Sequence, residues 1–177
     1  MNSRGRHVLS GVLAGAVLVG TLAGCGDAEA GKRRYIAEVE AVCAAAGQET
    51  DPERHPVESA ADQVTELERA ASAMGTAARR IQAIEPPPAD AERVKTGFIA
   101  PAGRLAARID GYARQAKAAL AARNQAEVDR IVAASLDPDQ DEKAMRAFAR
   151  AYGFTLCAGE EPGQPPSENL NGVADPS

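Results

Sequence analysis

Val64-Thr65-Glu66-Leu67-Glu68-Arg69-Ala70-Ala71-Ser72-Ala73-Met74-Gly75-Thr76-Ala77-Ala78-Arg79-Arg80-Ile81 is the stretch that sets the fold class. Val64, Leu67, Ala71, Met74, Ala78 and Ile81 recur at intervals of 3, 4, 3, 4 and 3 residues, which draws one apolar seam along a helix. Pro86-Pro87-Pro88 ends that helix, because proline has no N–H to continue the ladder. A second stripe starts near Ala89: Val94, Phe98, Pro101, Leu105, Ile109, Tyr112, Ala116 and Ala119 or Leu120. Two long helices joined by so few residues pack antiparallel.

Shorter helices are expected on either side of this pair. Upstream, Tyr35 or Ile36, Val39, Val42 and Cys43 share one face of a helix over about Arg33 to Ala46 that stops near Gly47. Asp51-Pro52 and His55-Pro56 punctuate the loop that follows, and the second helix is expected to start near Pro56, with Ser59 at a helix start. Pro101 lies inside the third helical pattern, so a kink or break is expected near Ile99 to Pro101. Downstream, Arg123-Asn124 forms a turn before a short fourth helix carrying Val128, Ile131, Val132 and Leu136. Asp137 as N-cap, Pro138 as first residue and Gln140 in a capping-box-like position open a fifth helix with Met145, Phe148, Ala149 and Tyr152 on one face, ended by Gly153. The fold class is therefore all-α, an antiparallel bundle of four to five helices with two long central ones. The prolines, glycines and acids from Gly159 onward read as a disordered acidic tail over 159–177.

The beginning of the chain carries an export signal. Arg4 and Arg6 precede a run without charge from Val8 to Thr21, and the small residues Ala23 and Gly24 lead into Cys25. The run is 14 residues long, short of the roughly 20 needed to span a bilayer as a helix. Residues 1–24 thus read as a signal peptide cleaved between Gly24 and Cys25, and Leu22-Ala23-Gly24-Cys25 resembles the lipobox of bacterial lipoproteins. The resemblance implies a diacylglyceryl thioether on Cys25 as the new N-terminus, with the protein held on the outer, extracytoplasmic face of the cytoplasmic membrane by its acyl chains. Residues 25–32 then form the lipidated tether, which reaches at most roughly 23 Å from Gly26 to Lys32 if extended, and 33–158 form the bundle.

With Cys25 acylated, Cys43 and Cys157 are the remaining pair in an oxidising compartment, and a disulfide between them is the default. Free catalytic thiols are the alternative, but no activating histidine lies near in sequence. Metal binding lacks further soft ligands. Tyr35 to Cys43 and Ala151-Tyr152-Gly153-Phe154-Thr155-Leu156-Cys157 are also similar to the ends of small helical lipoproteins and secreted proteins of actinobacteria. That similarity implies a bundle stapled by this bridge, and it implies no substrate.

Composition and motifs narrow the function. The chain has formal charge −5, and its first 24 residues contain two arginines and no acid, so the remainder is more acidic still. An acidic domain is a poor binder of phosphate, and no nucleic acid is expected as partner. There is no tryptophan, and Tyr35, Phe98, Tyr112, Phe148, Tyr152 and Phe154 mostly fall where a helical core claims them. His55 is the single histidine after Cys25, which leaves no zinc motif and no redundant histidine for a serine nucleophile. Asp137, Asp139 and Asp141 alternate like the first ligands of a calcium loop, but Glu142 and Phe148 stand where that loop needs glycine and glutamate. Glu142 with Arg146, and Asp110 with Arg114, need only form a solvated helical face. No catalytic residue, metal or cofactor is assigned, and an enzyme is disfavoured. Lys32-Arg33-Arg34 is the one basic cluster, either an ordinary solvated run or a contact to anionic headgroups. The leading expectation is a non-enzymatic module that binds or scaffolds an envelope protein through its long helices, with a filled core. The alternative is a carrier of a small apolar ligand, which requires a continuous apolar cavity.

Overall fold

The computed structural model describes residues 24–159. Helix α1 spans Gly24–Glu49, α2 spans Ala60–Ala83, α4 spans Gln125–Leu136 and α5 spans Gln140–Tyr152. Between α2 and α4 runs α3, one unbroken helix that is α over Ala91–Val94, a wider π turn over Lys95–Ile99 and α again over Ala100–Ala121. No strand occurs among the described residues. The chain is an all-α bundle with two long central helices and one disulfide, Cys43–Cys157.

Of the seam predicted for α2, Val64, Leu67, Ala71 and Ile81 are buried and Met74 and Ala78 partly so, while Ala73, off the seam, is buried as well. Opposite it, α3 buries Val94, Phe98, Ile109, Ala113, Ala116 and Ala119. The pair is antiparallel, since Ile81 near the end of α2 joins Val94 and Phe98 near the start of α3, while Lys117 Nζ donates to Glu68 Oε1 at 2.7 Å at the other end.

Two hydrophobic clusters divide this scaffold. One gathers Tyr35 and Val39 of α1, Ile81, Val94, Phe98, Met145, Ala149, Tyr152 and Phe154. Five of the aromatic rings lie in or against it, linked by centroid distances from 4.8 to 6.4 Å. The other is aliphatic and alanine-rich, packing Val64, Leu67 and Ala71 against Ile109, Ala113 and Ala116 and against Val128 and Ile131 of α4. Leu105 borders both.

Several boundaries differ from the sequence reading, each for a local reason. Helix α1 is already helical at Gly24, the first residue described, rather than starting near Arg33. Ala28, Glu29 and Ala30 are good helix formers and Asp27 in the first turn complements the dipole, so the stretch expected to be a tether is helical. Helix α2 starts after Ser59 rather than at Pro56; the Ser59 hydroxyl accepts from Asp62 N–H at 3.2 Å and donates to Asp62 Oδ2 at 2.6 Å. The cap of α5 is Asp139, not Asp137: its carboxylate accepts from Glu142 N–H at 2.8 Å. Leu136 is 78 % exposed and takes no part in the α4 face.

Pro101 does not break α3. The π turn before it takes up the missing donor, with Ala100 N–H bonded to Lys95 C=O, five residues back. This wider turn also lets the Phe148 ring lie directly on Gly97, where an added Cβ would come within 2.4 Å of the ring. At the end of α5, Gly153 is left-handed with φ 109°. Phe154 N–H and Gly153 N–H close on Ala149 and Arg150 carbonyls at 2.8 and 3.2 Å, a Schellman cap that drives Phe154 into the core.

Candidate functional site: an open groove and a cleft beneath the disulfide

Cys43 and Cys157 close a loop across 114 positions, joining the middle of α1 to the turn after α5. One helical turn before Cys43, the Glu40 carboxylate accepts from Leu156 N–H at 3.0 Å, from Cys157 N–H at 3.3 Å and from Thr155 Oγ1 at 3.0 Å. Bridge and carboxylate together pin the segment after α5 onto α1. Glu40 was not singled out by sequence reasoning, and only its i, i+3 spacing from Cys43 hinted at a shared partner.

A second clamp joins α3 to α5. Arg104 Nε donates to Asp141 Oδ2 at 3.0 Å, Arg108 pairs with Asp139, and Arg108 Nη2 donates to Glu142 Oε2 at 2.6 Å. Arg146 Nη2 reaches the same Glu142 carboxylate at 2.5 Å. Glu142 is therefore a buried carboxylate held between two guanidinium groups, not part of a solvated face. Its charge is taken from water only because both partners accompany it. Asp139 and Asp141, read as a calcium-like pattern, are engaged by arginines, and no group of three or more metal-ligating side chains occurs among the described residues. Asp110 and Arg114 form the exposed pair expected of them.

Next to this clamp lies an open cleft of about 330 Å³ beneath the disulfide. Met74, Ala77, Ile81, Phe98, Leu105 and Met145 form its apolar wall, with Glu142 and Arg146 among its polar lining. A larger groove of about 1030 Å³ follows the α2–α3 pair and is lined by those two helices and Pro86. Its lining includes the small residues Ala71, Gly75, Ala78, Gly103, Ala106 and Ala113, together with the charged Glu68, Arg79, Glu92, Lys95, Asp110 and Arg114. From Glu68 to Gln82 it follows α2 for roughly 21 Å at helical rise. The only large hydrophobic side chains exposed among the described residues are Val57 and Leu136.

At the end where α2 turns into α3, Tyr152 Oη donates to Asp90 Oδ2 at 2.9 Å. The Lys32 ammonium lies 4.8 Å and the Arg93 guanidinium 5.3 Å from the same Tyr152 ring. Burial and the Asp90 carboxylate hold the Tyr152 phenol well above its ordinary range. Tyr35, beside it, is pushed up to about 12 by burial, and its hydroxyl is buried without a hydrogen-bond partner. Of the basic cluster, Arg33 and Arg34 are exposed whereas Lys32 is partly covered by this contact. His55 sits against the Arg69 guanidinium in the loop before α2.

Residues 1–23, read from the sequence as a signal peptide with Arg4 and Arg6, and residues 160–177, read as a tail, lie outside the described residues. Gly24 and Cys25 are the first described residues of α1. No helix among the described residues is long and apolar enough to cross a membrane. No family model, curated protein or solved structure matches this chain.

Proposed function

We propose that this chain is a lipid-anchored, extracytoplasmic binding module, held on the membrane by an acylated Cys25 and presenting its α2–α3 groove to a helix of an envelope protein. The observation that carries the reading is the groove itself. Side chains of α2 and α3 line it and none from α1, α4 or α5 does, and small residues floor it among charged ones. Such a floor admits the close approach of a third helix, and the charges provide register. The Cys43–Cys157 bridge supports an oxidising compartment.

The test places a photo-crosslinking residue at Ser72 or Gly103 in the groove, and at Asp129 on the exposed side of α4, in intact cells. The expected result is one discrete protein adduct from the groove positions, absent from Asp129 and lost when Gly75→Trp fills the floor. Equal labelling from both faces overturns the reading. Replacing Cys25 by serine is expected to release the protein from membranes.

A second reading is favoured by the cleft beneath the disulfide, whose apolar wall and 330 Å³ volume suit one small apolar ligand. Extraction of the native protein with organic solvent, followed by mass spectrometry, recovers a stoichiometric apolar molecule if the carrier reading holds.

A further inference from the structure

We propose that the end of the bundle formed by the α2–α3 connection faces the lipid bilayer, and that α1 is a rigid strut fixing this orientation; the inference rests on the reading of Cys25 as the acylated residue. Helix α1 is unbroken from Gly24 to Glu49. Tyr35 and Val39 are 3 % and 0 % exposed and lock it into the aromatic cluster. One turn earlier, Lys32 lies over the ring of Tyr152, which is itself bonded to Asp90 at the start of α3. Position 32 of α1 is therefore level with the α2–α3 connection.

From that level α1 runs toward the middle of the bundle, where Ala46 and Gly47 share a cleft with Met74 and Ala77 of α2 and Leu105 of α3. Traced the other way, seven helical steps carry the backbone roughly 10 Å outward from Lys32 to Cys25. The acylated position thus projects past Glu85, Pro86–Pro88 and Arg93, while the α3–α4 turn lies roughly 45 Å away along α3. A helical lead cannot fold back as a loose chain would, so only one end of the bundle reaches the headgroups. Lys32 and Arg33 meet them there, while Arg34 is paired with Glu38 and Arg93 with Asp90, and Asp27 and Glu29 on the lead itself, with Glu85 and Glu92, offset these cations. Proximity accordingly comes from the covalent anchor rather than from net charge, and the groove of α2 and α3 stands along the membrane normal.

The chain has no tryptophan, so one introduced indole reports its own surroundings. Glu85→Trp and Ala122→Trp, both at exposed positions, are made separately in the full-length acylated protein. Each variant is reconstituted into phosphatidylcholine–phosphatidylglycerol vesicles that carry a nitroxide on the headgroup. The expected result is several-fold stronger quenching for Glu85→Trp than for Ala122→Trp. That difference should collapse when Glu29→Gly and Ala30→Gly turn the lead of α1 into a glycine run. Equal quenching of the two variants on protein that floats with the vesicles overturns the orientation while leaving acylation intact. Protein that does not float and lacks an acyl mass on Cys25 overturns the anchor reading, and the orientation with it.

Discussion

At the scale of single residues, two tyrosines in one cluster receive opposite treatment. Tyr152 gives its proton to a hydrogen bond with Asp90, whereas the Tyr35 hydroxyl is buried without a partner. An unmet buried hydroxyl costs about 1 to 3 kcal/mol, so Tyr35→Phe is expected to stabilise the bundle by about 1 kcal/mol in urea titration. Tyr152→Phe should destabilise it by a similar amount, because Asp90 then loses a donor. The sign with pH follows from protonation. Tyr35 keeps its proton up to about 12 when folded, while the unfolded phenol ionises near 10. The native state therefore holds more protons in that window, and stability falls as pH rises from 10 toward 12. Tyr35→Phe should make the alkaline limb shallower. Sequence placed Tyr152 on an inward face and left Tyr35 and Ile36 as alternatives on α1, and which hydroxyl finds a partner depends on Asp90, 62 positions from Tyr152.

At the scale of elements, α3 is decided by Pro101 and Gly97 together. The π turn removes the proline's conflict with the ladder, and the missing Cβ of Gly97 leaves room for Phe148. Gly97→Ala is expected to cost about 1 to 3 kcal/mol through the clash. Gly111→Ala, where an added Cβ meets nothing within 4 Å, should instead stabilise by up to about 1 kcal/mol through helix propensity. Both are read from urea midpoints. A disturbance near residues 99–101 was legible from proline alone, but its form was not, because a kink and a π turn answer the same lost hydrogen bond and only packing chooses between them. The helix boundaries show the same limit. Asp137 and Asp139 are equally good caps by composition, and Asp139 holds the position in a segment where Arg108 also pairs with its carboxylate.

For the whole molecule, the long-range staple dominates. In the chain-entropy model a loop of this length contributes roughly 4 to 5 kcal/mol. Cys43→Ala with Cys157→Ala should lower the unfolding free energy toward that amount and free the segment after α5 to hydrogen exchange. Glu40→Ala is expected to loosen the same segment with the bridge intact, costing about 1 to 2 kcal/mol for the lost charge-assisted bonds. Protection of the Leu156 and Cys157 amides separates the two effects. An unchanged exchange rate in Glu40→Ala would show that the bridge alone holds the turn. The bridge, the Glu142 clamp and α1 gather around the aromatic cluster and the cleft beside it, while side chains of α2 and α3 line the groove without α1, α4 or α5.

By itself the sequence determined the helical class, the antiparallel central pair and most of the inward faces, because each of these follows from local periodicity or proline punctuation; the expected Cys43–Cys157 pair rested besides on setting Cys25 aside through its resemblance to a lipobox. Only the tertiary structure decided that Glu142 is buried between two arginines, that Glu40 caps a turn more than a hundred residues away and that an open groove remains along α2 and α3. Those features depend on which side chains meet in space, and meetings between distant segments leave no period in the chain.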